Sequence, residues 1–274
     1  MKLLLLAALI VSSAGLAMAQ TASTEVTSHS FQWQTTHHGE FKYELYLPKG
    51  YEEQRTNRWP LMLFLHGIGE RGTEISKVFA HGPIKLARNG HEFPFIIVAP
   101  QCPDGEFWDN TEALIQLLDN VEDNYRVDTR RVYLTGLSMG GYGAWKLGTT
   151  YPDRFAAMIP VCGGGELLNI RFANPDKMKA LKSLAVWAFH GAKDDVVPMT
   201  ESERTVGYLK SIGATEVKLT IYPDAKHDCW TETFANPEIY EWLLRHQRAD
   251  LLKQIGQRMA NPACCFGQVN EPAT

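Results

Sequence analysis

The stretch Val132-Tyr133-Leu134-Thr135-Gly136-Leu137-Ser138-Met139-Gly140-Gly141-Tyr142-Gly143 decides the fold. It begins with a short apolar run of strand type, and a helical pattern follows over residues 140–151. Between the two lies Gly-x-Ser-x-Gly. A strand that turns directly into a helix needs a very tight corner. The flanking glycines permit it, because a Cβ there would strike neighbouring backbone. Such a corner lifts the Ser138 hydroxyl above the sheet at a helix N-terminus. Unpaired N–H groups and the positive end of the helix dipole there suit a developing negative charge. Ser138 is therefore the candidate nucleophile.

The same kind of strand recurs on both sides of this corner. Apolar-rich runs cover residues 61–65, 95–99, 155–161, 185–189 and 217–222, and each leads within two residues into Gly or Pro. Runs of this length, buried on both faces, suit a parallel sheet covered by helices. Helical periodicity lies at 111–125, with Leu114, Leu117, Leu118 and Val121 on one face, and at 140–151, 201–212 and 236–245. Before them, Phe41, Tyr43, Leu45 and Leu47 alternate with polar residues, a half-buried strand ended by Pro48-Lys49-Gly50. Residues 21–30 are polar and read as a flexible start. The expectation is a doubly wound, mostly parallel α/β sheet with helices on both faces and an antiparallel N-terminal edge. No repeat or Pro/Gly-rich linker divides it, so residues 20–248 read as one domain. A tail follows over 249–274, opening with a short helix at 249–259.

A serine hydroxyl is a weak nucleophile and needs a base, which a carboxylate in turn orients. On such a sheet the chain order is serine, acid, histidine. The segment His190-Gly191-Ala192-Lys193-Asp194-Asp195 follows a strand and offers two carboxylates, which spacing alone does not rank. Of nine histidines, only His227 lies after the last strand and before the final helix. His66 and His190 sit on Gly-turns at strand ends, where hydrogen bonding of the turn is their expected role. The loop Leu65-His66-Gly67-Ile68-Gly69 should supply an oxyanion donor, with Ile68 N–H and Met139 N–H as the pair and Gly69 as the alternative to Ile68. Trp108 and Trp230 are candidates for lining an acyl or aryl pocket, against the plainer alternative of core packing.

The 274 residues are 45% hydrophobic and 21% charged, which allows a full-sized core. The net charge of −4 comes with no strongly basic stretch, so nucleic acid has no electrostatic footprint. Met1-Lys2, an apolar run over residues 3–11 and Ala17-Met18-Ala19 have the layout of a signal peptide over residues 1–19, cleaved before Gln20. The apolar run is about half the roughly 20 residues of a membrane span. A secreted or periplasmic protein is expected, in which disulfides are permitted. The five cysteines are Cys102, Cys162, Cys229, Cys264 and Cys265. Their spacing fits no zinc pattern. The first three each follow a strand on one end of the sheet, so a pair among them is open, its members unspecified.

Taken together, LHGIGERG (65–72), APQCPDGEFW (99–108), RRVYLTGLSMGGYGAW (130–145), FHGAKDDVVP (189–198) and His227-Asp228-Cys229-Trp230 resemble one group. It is the exported esterases of the phospholipase/carboxylesterase and dienelactone-hydrolase-like branches of the α/β hydrolases. The resemblance runs over about residues 35–245, with the motifs in the family's order. It implies Asp194 as the acid, four positions after the histidine of HGxxDxxVP, with His227 as base and Ile68 in the oxyanion loop. Dienelactone hydrolases use a Cys nucleophile where this chain has Ser138, which argues against lactone-dedicated chemistry. Prolyl oligopeptidases share the catalytic domain but carry a propeller, for which this chain has no room.

The expected activity is hydrolysis of short-chain or aromatic esters, feruloyl-type included, on a small molecule or a polysaccharide, through an acyl-enzyme. No metal or organic cofactor is required. The stretch 163–178 is the longest available for a lid and is short, which argues against a lipase. The alternatives are an acyltransferase or a peptidase on the same triad, and a binding protein that keeps the fold, whose mark would be a broken triad.

Overall fold

The apolar runs pair into one eight-stranded sheet in the computed structural model, which describes residues 26–34 and 38–248. The strands are β1 (Val26–Gln34), β2 (His38–Tyr46), β3 (Trp59–Leu65), β4 (Ile96–Pro100), β5 (Val127–Leu137), β6 (Ala157–Val161), β7 (Ala185–Gly191) and β8 (Val217–Tyr222). Their order is β1-β2-β4-β3-β5-β6-β7-β8. The pairs β1–β2 and β2–β4 are antiparallel, and every later pair is parallel. This is the doubly wound α/β sheet with an antiparallel N-terminal edge that the sequence implies.

Because side chains alternate across a strand, the sheet divides the core into two layers. On β3, Leu61, Leu63 and Leu65 enter one layer while Met62 and Phe64 enter the other. The first layer is covered by α2 (Thr111–Asn124), α3 (Met139–Thr150) and α6 (Thr200–Ser211), through residues such as Leu117, Trp145 and Leu209. The second is covered by α1 (Gly82–Arg88), α7 (Trp230–Ala235) and α8 (Pro237–Leu244), through Ile84, Phe234 and Trp242. Two short helices, α4 (Leu167–Arg171) and α5 (Pro175–Ser183), fill the connection from β6 to β7. Local chemistry sets the helix starts. The Asn110 side chain accepts from Ala113 N–H at the head of α2, and Asn236 does the same for Glu238 N–H, with Pro237 opening α8.

Three sequence expectations need correction. Val26–Gln34 is not a flexible start: it is strand β1, paired along its whole length with β2. Its polar residues sit on the exposed side of an edge, so the alternation is weak. Strand β8 is not buried on both faces. It closes the other edge of the sheet and is half open to solvent. Helices α1, α4, α5 and α7 are too short for periodicity to reveal. The expected leader at 1–19 and the tail helix at 249–259 lie outside the described residues. Among the described residues no helix is long and apolar enough to cross a membrane.

The strand order fixes where a site can form. The chain steps from β3 outward to β4, then crosses to the other side of β3 for β5. The loops after β3 and β5 therefore diverge at the carboxyl ends of adjacent strands, leaving a crevice between them. At that crevice the corner of β5 and α3 is packed backbone to backbone. A Cβ on Gly136 would lie 2.2 Å from Gly140 O, and one on Gly140 would lie 1.9 Å from Leu65 O. Gly140→Ala should therefore cost about 3 kcal/mol or more, or yield no folded protein. Gly207 in α6 has nothing within 4 Å of the same position, so Gly207→Ala should stabilise by about 0.5–1 kcal/mol. Urea titration of both variants checks the pair, and a stable Gly140→Ala protein would contradict the packing described.

Candidate active site

Ser138 stands between β5 and α3 with φ 51° and ψ −117°, a strained backbone for a residue with a side chain. The strain is held by neighbours. Ser138 N–H donates to Val161 O at 3.0 Å and reaches Cys162 Sγ at 3.3 Å, while Ser138 O accepts from Tyr142 N–H at 3.0 Å. His227 lies in the loop between β8 and α7, and Asp194 in the turn after β7. The structure brings these three together. Ser138 Oγ is 2.8 Å from His227 Nε2, and His227 Nδ1 is 2.8 Å from Asp194 Oδ2. A carboxylate only accepts, so Nδ1 carries the proton of a neutral imidazole. Nε2 is then the acceptor, and the serine hydroxyl donates to it.

The Asp194 side chain is fully buried. Burial by itself would push its carboxyl up. The His227 N–H and the backbone N–H groups of Val197 and Val196 outweigh that and hold it below the usual carboxylate range. Those two backbone groups donate to Oδ1 at 2.8 and 2.9 Å, which leaves Oδ2 for His227. His190 braces the same turn. Its Nε2 donates to Val197 O at 3.0 Å and lies 3.2 Å from Asp194 Oδ2, and its Nδ1 is 2.8 Å from Ser202 Oγ. Asp195 is exposed and 4.0 Å from Lys226, away from the imidazole.

His66 organises the facing loop. Its Nδ1 donates to Gly67 O at 2.6 Å, and its Nε2 accepts from Cys102 N–H at 2.9 Å. These partners require the neutral ring. Burial pushes its pKa down to about 4, with the charge of Arg71 adding to the fall and the Gly67 hydrogen bond opposing it. Ile68 opens a short 3-10 helix after Gly67, and Met139 is the first residue of α3. Both thus present N–H groups of a first helical turn, which have no partner within their helices.

A cavity of about 410 Å³ opens in front of Ser138. Its walls include Ile68, Phe107, Trp108, Met139, Tyr142 and Val196, and its rim carries Asp109, Lys146 and Glu166. Lys146 is held by Asp109 at 2.6 Å and Glu166 at 3.6 Å. Trp108 does line the cavity, and it also packs: it is buried, its Nε1 donates to His66 O at 2.9 Å, and its ring edges onto His66. Trp230 does not line it. Its ring meets His227 edge-on, with centroids 5.2 Å apart, and its Nε1 donates to His81 Nδ1 at 3.3 Å. It packs against the His227 ring away from the cavity, because α7 turns it there. Phe107, Tyr142 and Lys146 were missed in the sequence. The first sits on a loop without periodicity, and the other two lie on the outer face of a glycine-rich helix. The donor atoms of Cys162, Asp194 and His227 lie within 4.8 Å of one another, a spacing a metal ion tolerates. Each already has a hydrogen-bond partner in the arrangement described.

Residues 51–243 match the phospholipase/carboxylesterase family, and the chain belongs to it. It is 26% identical over 189 residues to a bifunctional acetylxylan esterase/xylanase of Neocallimastix patriciarum, a match covering 67% of this chain and 26% of that protein. It is 34% identical over 121 residues to poly(3-hydroxyalkanoate) depolymerase C of Paucimonas lemoignei, covering 38% of this chain and 28% of that one. The chain thus spans under a third of either relative. Among solved structures, a thermostable esterase superposes with a TM-score of 0.66 at 31% identity, over 81% of this chain and 63% of that one.

Two predictions follow from the geometry. Asp194→Asn should lower kcat by about 10⁴-fold, while Asp195→Asn should stay within about two-fold of wild type, the usual range for an exposed residue off the site. Equal losses would assign the acid wrongly. For His66, the unfolded chain binds a proton near pH 6.5 that the folded one refuses until about 4. Stability is therefore full above about 6.5 and lost as pH falls toward 4. Its imidazole resonances should not titrate between pH 7 and 5, and a midpoint near 6.5 by NMR would contradict the buried neutral ring.

Proposed function

We propose that this family member is a serine carboxylic-ester hydrolase acting on short-chain or aromatic esters, feruloyl-type included, through an acyl-enzyme on Ser138. The observation that carries the reading is the continuous hydrogen-bonded line from Asp194 through His227 to Ser138 Oγ, 2.8 Å at each step, at the mouth of an apolar cavity. His227 Nε2 takes the hydroxyl proton as Ser138 Oγ attacks the ester carbonyl. The tetrahedral oxyanion is held by Ile68 and Met139 N–H. Asp194 keeps the ring in the right tautomer and stabilises its charged form. The imidazolium then protonates the leaving alcohol. Water, deprotonated by the same nitrogen, attacks the acyl-enzyme and releases the acid.

The walls support the choice of ester. Ile68, Phe107, Tyr142 and Val196 are exposed large apolar or aromatic side chains that line the cavity, so an acyl or aryl group placed there covers apolar surface. At the rim one lysine is already neutralised by two carboxylates, which offers nothing to an anionic substrate. The stretch 163–178 folds into α4 and the start of α5 with Leu168 and Phe172 exposed, and this suits an open site without a large lid. Similarity to the acetylxylan esterase supports a polysaccharide-linked ester as one natural substrate. Export is part of the proposal. It rests on the Lys2, apolar and Ala17-Met18-Ala19 pattern, with residues 20–248 as the working domain.

Protein secreted by its host and sequenced from Gln20 should hydrolyse p-nitrophenyl acetate and butyrate and methyl ferulate. Ser138→Ala should lose about 10⁴-fold or more in kcat. Retained hydrolysis in that variant would move the nucleophile elsewhere.

A further inference from the structure

Two buried thiols lie directly beneath the catalytic line, and the mechanism uses neither. Cys162 follows β6 with φ 44°, an uncommon conformation for a residue with a side chain. Its Sγ accepts from Ser138 N–H at 3.3 Å and lies within 4.8 Å of the facing atoms of Asp194 and His227. Cys229 stands two residues after His227, and its N–H donates to His227 O at 2.8 Å, closing a tight turn. Both are free thiols in this structure, fully buried in the same apolar layer on either side of His227, and the Cys229 thiol neighbours that of Cys162. Cys102 is set apart, in the opposite layer.

We propose that Cys162 and Cys229 form a disulfide that staples the loop bearing His227 to the strand end beneath Ser138. Two S–H bonds break and one S–S bond forms. The two protons and two electrons pass to a small or protein disulfide, which is reduced to two thiols. The bond spans 162 to 229 in sequence and closes a long loop of the unfolded chain, where a cross-link restricts the unfolded state strongly. Its timing follows from burial. Once the core has closed, burial and the neighbouring thiol push the Cys162 thiol far above its ordinary range, so it holds its proton and does not exchange. The bond therefore forms during folding and then resists reduction in the folded protein. Its formation is independent of the ester-hydrolase reading; only its effect on the base rests on that reading.

The full chain is unfolded and refolded with glutathione disulfide, or with excess dithiothreitol, then alkylated and digested without reduction. The oxidised sample should yield one cross-linked peptide pair joining Cys162 to Cys229, two hydrogens lighter than the separate peptides, with Cys102 alkylated. Both cysteines alkylated in that sample, or either one joined to Cys102, would overturn the proposal. The dithiothreitol sample should melt roughly 5–15 °C lower, and a coincident melt would refute the staple. Cys162→Ala, Cys229→Ala and the double variant should share that lower Tm, since either change removes the same bond. Additive losses would mean that the thiols only pack. A cross-link found in a protein that hydrolyses no ester would leave the staple standing and count against the ester-hydrolase reading alone.

Discussion

The carbonyl oxygen of Leu65 occupies the space a Cβ on Gly140 would need. Through this one contact the end of β3 lies against the first turn of α3 with no side chain between them. The consequences reach across the site. Ile68 follows the end of β3 and Met139 opens α3, so residues from distant parts of the chain come to line one cavity. The same closeness forces Ser138 into φ 51°, a conformation held only because Val161 O and Tyr142 N–H take its backbone groups. Backbone packing therefore sets the position of the nucleophile before any side-chain chemistry enters.

A second constraint is electrostatic. Asp194 is a carboxylate without solvent, and the donors that hold it charged are two backbone N–H groups of its own turn and the His227 N–H from the loop after β8. That turn is in turn held by His190, whose ring is anchored on Ser202 and Val197. His227 thus rests on Asp194, Asp194 on two backbone N–H groups, and the turn on a second histidine. Only the His227 ring reaches solvent; the Asp194 and His190 side chains are fully buried.

Much of this was legible in the sequence because it obeys local rules. The strand–serine–helix corner, the apolar strands and the capped helices each leave a signature within about ten residues. The ranking of Asp194 over Asp195 was not local: it depends on which carboxylate turns inward, and only resemblance to a family suggested it. The burial of β8 was overestimated although Lys218 and Thr220 alternate with apolar residues there, the mark of a strand with one open face. Residues 26–30 of β1 read as flexible because an edge strand keeps polar residues on its open face. The place of Trp230 was equally hidden. It sits near His227 in sequence, yet a short helix turns its ring against the His227 ring instead of into the cavity.

The cavity walls come from separate loops. Ile68 follows β3, Phe107 and Trp108 follow β4, Tyr142 and Lys146 belong to α3, Glu166 follows β6 and Val196 follows β7. The hydrogen-bonded line to the nucleophile, by contrast, is pinned at the ends of β5, β7 and β8. In evolutionary terms the chemistry and the choice of substrate are inherited on different parts of the chain. A replacement in one loop reshapes one wall while the acid, base and hydroxyl keep their spacing. The cavity can therefore change shape by small independent steps while those three side chains keep their spacing.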